Sequence, residues 1–173
     1  SQACANGHLK VVNILLGAPG IDVNREKTDG RSPLWQACDA GHIEVVIRLL
    51  DVPGIDVNRP QITTQASPLW MACQYGYFEV VEQLLFVEGI NVNHPTDKGI
   101  TPFSVACSNG HVKVMERLLS IKSVDVHRTS KSGSSPLFFA CQNGYLEVVK
   151  RLLCVNGVDI NQQNYSGLTA LII

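Results

Sequence analysis

Apolar positions in this chain come in short bursts with helical spacing. Across residues 43–50, Ile43, Val45, Val46, Leu49 and Leu50 fall on one side and Glu44, Ile47 and Arg48 on the other. That i, i+3, i+4, i+7 pattern predicts an amphipathic helix with one buried stripe. Glu44 and Arg48 stand four apart, a spacing suited to a surface pair. Ahead of this burst, Ser32-Pro33 has the form of a helix start. A hydroxyl can cap the free amides, and a proline at the first helical position loses no hydrogen bond. A short first helix is therefore predicted from Pro33 to about Ala40, and Gly41 permits the chain to reverse. After the second helix, Val52-Pro53-Gly54 reads as a stop, and the alternation in Ile55-Asp56-Val57-Asn58 predicts a short extended arm leading into a turn. Neither helix is long enough to be stable alone.

The whole pattern recurs. The segment running from Ala37 to Val46 returns as Ala72 to Val81, Ala106 to Met115 and Ala140 to Val149, and it is already present as Ala3 to Val12. The helix-start signal returns as Ser67-Pro68, Thr101-Pro102 and Ser135-Pro136. A fixed period near 34 residues means a stack of one small unit, each burying its apolar faces against its neighbours.

The unit resembles the ankyrin repeat. The residues carrying the resemblance are Gly30-x-Ser32-Pro33-Leu34, Ala37-Cys38-x-x-Gly41-His42, Val45-Val46-x-x-Leu49-Leu50 and Gly54-Ile55-Asp56-Val57-Asn58. The resemblance implies an all-α solenoid of stacked helix-turn-helix pairs with projecting β-hairpin-like fingers. It covers residues 1–173 as a single array: a partial repeat 1–29, repeats 30–64, 65–98, 99–132 and 133–166, and a partial repeat 167–173. The apolar residues at both ends, where a capping repeat is normally polar, suggest a fragment of a longer chain. The repeats depart from the family pattern in several places. Cysteine replaces the second alanine, and the residue after Pro-Leu is Trp35, Trp70, Ser104 or Phe138. The finger between Asn58 and Ser67 is one residue longer than its siblings and has Gln65 where they have glycine, so a different tip is expected.

Cys4, Cys38, Cys73, Cys107 and Cys141 occupy one place per repeat. Stacked helical layers put equivalent atoms roughly 10 Å apart, beyond the reach of about 7 Å between Cα atoms that a disulfide allows. They read as free thiols filling small buried sites, which favours a reducing, cytoplasmic (or nuclear, or host-cytosolic) setting. Cys38 and His42 stand four apart, as do Cys4 and His8, and Cys107 and His111. That spacing admits a nucleophile with its base, or half of a metal site. But the pair is copied from repeat to repeat, and Tyr77 and Tyr145 replace the histidine outright. A scaffold role, with the histidine bonded to local backbone, fits better. No catalytic residue, metal or cofactor is expected.

Asn24, Asn58, Asn93 and Asn161, with His127 in the same place, end each Asp-Val-Asn-like arm. Asparagine there can support the turn by bonding its own backbone. The resemblance adds a second reading, since asparagines at this place in the family can be substrates of an asparaginyl hydroxylase, with a leucine upstream in the recognised pattern. Leu16, Leu50, Leu85 and Leu153 stand eight residues before their asparagines.

The net charge of −1 argues against a broad duplex-binding face, and no apolar run approaches a membrane span. The fingers carry seven Lys or Arg against three Asp or Glu, a mildly basic edge suited to an acidic partner. Trp35, Trp70, Phe103, Phe138, Phe139, Met71 and Tyr77 read mainly as core, with Tyr75 as the exposed aromatic. By resemblance, contacts to a partner fall at finger tips and at the two positions before the turn glycine. In one unit these are Glu26, Thr28, Asp29, Arg31, Asp39 and Ala40. The lengthened loop adds Gln61 and Thr63, followed by Gln74 and Tyr75. The next unit supplies Thr96, Asp97, Lys98, Ile100, Ser108 and Asn109, and the one after it Ser130, Lys131, Ser132, Ser134, Gln142 and Asn143. The expected function is a non-catalytic protein–protein interaction module, monomeric, binding a partner protein on its concave face without nucleic acid or membrane insertion. The alternative is a recognition arm of a multidomain enzyme or secreted effector, such as a ubiquitin ligase or a kinase, with its catalytic domain outside these residues.

Overall fold

The computed structural model of the chain describes residues 2–173. Its helices run in pairs: α1 Gln2–Ala5 with α2 Leu9–Leu16, α3 Pro33–Asp39 with α4 Ile43–Leu50, α5 Pro68–Tyr75 with α6 Phe78–Leu85, α7 Pro102–Ser108 with α8 Val112–Leu119, and α9 Pro136–Gln142 with α10 Leu146–Leu153. The helix starts are those the sequence predicts. Ser32 accepts from the Trp35 amide at 3.1 Å, and Ser67, Thr101 and Ser135 cap α5, α7 and α9 in the same way. Each first helix ends at a glycine in the left-handed region, such as Gly41 at φ 71° and Gly76 at φ 70°.

The odd-numbered helices pack in one row and the even-numbered in another, with the odd row the more closely packed. The stack therefore curves toward the odd-numbered helices. Between the rows lies one continuous core. Leu34, Ala37, Cys38, Val46 and Leu49 are fully covered, and their counterparts in the following repeats join them. Burying a side chain such as Val46 or Leu49 contributes about 1.5–3 kcal/mol, with cover supplied by the first helix of the same repeat and by the helices of both neighbouring repeats. On the outer row, Arg48 turns to Asn13 of the preceding repeat at 2.8 Å rather than to Glu44. Arg117 likewise pairs with Glu82, and Arg151 with Glu116. These outer side chains tie repeat to repeat, while Lys150 pairs with Glu147 inside α10 at 2.7 Å.

The fingers are hairpin-shaped turns, and no β-strand occurs among the described residues. Each is closed by two backbone bonds, as in Thr96 N–H to the Ile100 carbonyl at 3.0 Å and Gly99 N–H to the Thr96 carbonyl at 2.9 Å. Each finger after the first is also joined to the one before it by a further bond. The amides of Ile62, Asp97, Lys131 and Tyr165 donate to the carbonyls of Asp29, Thr64, Lys98 and Ser132. That register identifies the extra residue of the long finger as Thr63, which lies between the donating Ile62 and the accepting Thr64. Gln65 takes the left-handed place of its sibling glycines, at φ 56°.

Candidate functional site

Fingers and first helices together wall a groove on the inner face. It comprises three hollows in a row. The first, about 390 Å³, is lined by Asp29, Arg31, Trp35, Asp39, Gln61, Thr64, Trp70, Met71 and Tyr75. The second, about 310 Å³, shares Thr64 and Trp70 with it and adds Gln74, Thr96, Asp97, Lys98, Ile100, Val105, Ser108, Asn109 and Phe139. The third, about 480 Å³, shares Asp97, Lys98, Ile100 and Phe139 and adds Ser130, Lys131 and Ser132.

Local chemistry fixes the floor. The Trp35 indole donates to the Ala66 carbonyl at 2.9 Å and the Trp70 indole to the Ile100 carbonyl at 3.1 Å, so each tryptophan bridges to the base of the next finger. Arg31 lies 5.8 Å from the Trp35 ring and contacts Asp29 at 2.6 Å. That hydrogen-bonded pairing holds the Asp29 carboxyl below the usual carboxylate range. Partial burial pushes Asp39 the other way. Tyr75 is 49% exposed beside Tyr77, with ring centroids 5.6 Å apart.

The expected contact residues divide. Fifteen of the positions named from the sequence line the groove. Glu26 instead lines a separate hollow with Cys4, Val12 and Leu49 and pairs with Arg59 at 3.4 Å. Thr96, Ser130 and Ser134 are buried, and the Thr96 and Ser130 hydroxyls accept the Ile100 and Ser134 amides within their own fingers. Asn143 turns to the Ser108 carbonyl at 2.7 Å. Thr28, Ala40, Thr63 and Gln142 line no hollow of the groove. Trp70, Phe139 and Val105, which the sequence assigns to the core or passes over, do line it. Their apolar character matches a core position, and only half-burial of Trp70 and Phe139 distinguishes them. Phe103 and Phe138 are buried as expected.

The repeated polar residues act between repeats. His42 does not bond local backbone: its Nε2 lies 3.0 Å from the Ala5 carbonyl, 37 residues away, and its ring covers Gly7 of the preceding turn. His111 does the same at Gln74 and Gly76. Tyr77 and Tyr145 cover Gly41 and Gly110 with larger rings, which is why tyrosine can stand in. Asn58 does not serve its own turn either. Asp56 does that, accepting the Asn58 amide at 3.1 Å. The Asn58 side chain reaches the next repeat's loop, as do Asn24 and Asn93. Asn161 is exposed and its side chain makes no such bond among the described residues.

The thiols are free, as expected. Cys4, Cys38, Cys73 and Cys107 are buried, Cys141 is half-buried, and Cys154 is exposed. Burial raises the Cys38, Cys73 and Cys107 thiols far above their ordinary value, so they stay protonated and make poor nucleophiles. Among the described residues no cluster of three metal-ligating side chains occurs, and no helix is long and apolar enough to cross a membrane.

A family model described as ankyrin repeats (3 copies) matches residues 1–96 and again 69–164. No curated protein matches the chain. With paired short helices, capped Ser-Pro starts, glycine turns and linked fingers all in one register, the chain belongs to the ankyrin-repeat family, whose repeats generally serve as protein–protein interaction modules.

Proposed function

We propose that residues 1–173 form a single continuous recognition array that binds one partner protein in the groove between fingers and first helices, with no chemistry of its own. The observation that carries this reading is the row of incompletely covered aromatics, Trp70, Tyr75 and Phe139, within one continuous groove. Such rings contribute large contact area with few rotatable bonds, and aromatics dominate binding hot spots. The groove is held by bonds between fingers and between repeats, so little conformational entropy is lost on binding. Its free thiols suit a reducing compartment, the cytoplasm first, with the protein a monomer.

The test is affinity capture with the wild-type array beside Tyr75→Ala and Phe139→Ala, followed by purification of the captured protein and a binding titration. Loss of binding in both variants, at unchanged thermal stability, supports the groove. A partner that binds both variants as it binds the wild type places the interface elsewhere.

A further inference from the structure

The groove is graded in charge along its length. In the first hollow Asp29 and Arg31 neutralise one another, leaving Asp39 as the uncompensated charge. In the second, Asp97 and Lys98 balance. In the third, Lys98 and Lys131 outnumber Asp97, and neither lysine enters an ion pair among the described residues. Both lysines are exposed. The net sign thus runs from negative, through neutral and aromatic, to positive.

The backbone of the groove wall is largely used up. The carbonyls of Asp29, Thr64, Lys98 and Ser132 each accept an amide of the next finger. An occupant therefore finds no open sheet edge to extend, and recognition falls to side chains and charge. The hollows are spaced one per repeat. Two repeat steps of about 10 Å each span about 20 Å, the length of roughly six residues of extended chain.

Building on the groove reading above, we propose that the occupant is an extended segment of a partner protein. It presents a basic side chain at Asp39, apolar side chains over Trp70 and Phe139, and an acidic side chain between Lys98 and Lys131. Charge then fixes the direction in which the segment lies, while the aromatics supply the contact area.

A library of random twelve-residue peptides displayed on phage, selected against the folded array, tests this directly. Selected peptides are expected to carry a basic and an acidic residue about six positions apart, bracketing apolar residues. Synthetic versions should lose about tenfold in affinity on Lys98→Glu/Lys131→Glu and again on Asp39→Lys. Changing the peptide's acidic residue to lysine should restore binding to Lys98→Glu/Lys131→Glu. Peptides that depend on Tyr75 and Phe139 but ignore the charge variants would overturn the graded recognition and leave the groove standing. Peptides indifferent to Tyr75→Ala and Phe139→Ala would remove the groove as well. A library yielding no enriched peptide would overturn the extended segment, leaving the groove to the capture experiment.

Discussion

The Asn58 side chain is bound at both ends to the loop of the next repeat. Its Nδ2 donates to the Gly89 carbonyl at 2.8 Å while its Oδ1 accepts the Asn91 amide at 2.8 Å. The same clasp joins Asn24 to Gly54 and Asp56, and Asn93 to Ser123 and Asp125. Each asparagine is thus a joint between units.

Asn58→Ala removes two exposed bonds, whose freed carbonyl and amide can turn to water, and should cost about 0.5–1.5 kcal/mol in urea unfolding. Asn161→Ala, removing a side chain with no such bonds, should stay within about 0.5 kcal/mol. Equal costs would mean the clasp contributes nothing. The same contrast predicts an order for the hydroxylation that the family resemblance implies. Exposed Asn161 should react ahead of Asn58 when the array is treated with an asparaginyl hydroxylase and mapped by mass spectrometry.

Gly41 and Gly54 both have positive φ but differ in surroundings. A Cβ on Gly41 would stand 2.8 Å from the Tyr77 ring, while one on Gly54 meets nothing within 4 Å. Gly54→Ala should cost about 1–2 kcal/mol for the left-handed backbone alone. Gly41→Ala should cost clearly more, because the ring that links two repeats must move. Chemical denaturation of the two variants reads the difference.

Stability should fall in alkali. Cys38, Cys73 and Cys107 are held protonated by burial, whereas the unfolded chain titrates them near the ordinary value of 9.0. Their folded pKa is raised, so this contribution is complete below pH 9.0 and declines as pH rises above it. Each thiol adds about 1.4 kcal/mol of loss per pH unit. Urea midpoints measured from pH 8 to pH 10.5 should drop, and Cys73→Ala should flatten the slope by one proton's share.

Gln65 carries the left-handed backbone that its sibling fingers give to glycine. Its side chain donates to the Ile62 carbonyl at 2.8 Å, an exposed bond that recovers part of the cost. Gln65→Gly should therefore change stability by less than about 1 kcal/mol, in the stabilising direction. A loss of stability would show that the side-chain bond outweighs the strain.

Val46 has no exposed surface. Val46→Asp buries a carboxylate with no partner and should cost more than about 4 kcal/mol, abolishing the folded signal of at least its own repeat by circular dichroism.

The sequence by itself determined everything governed by near neighbours. Hydroxyl caps before proline, the apolar stripes, the turn glycines and one small thiol per repeat depend on groups within about four positions, which the chain spells out directly. The period then settled the stacking. What only the tertiary structure decided are the partners some 30 to 37 residues away: Trp35 to Ala66, His42 to Ala5 and Asn58 to Gly89. A polar residue's type announces that it will bond, but which backbone it meets depends on how one layer settles on the next. The groove is legible only in part for the same reason. Finger tips vary visibly, whereas Trp70 and Phe139 read as core because apolar character is identical whether a ring is fully covered or left half open.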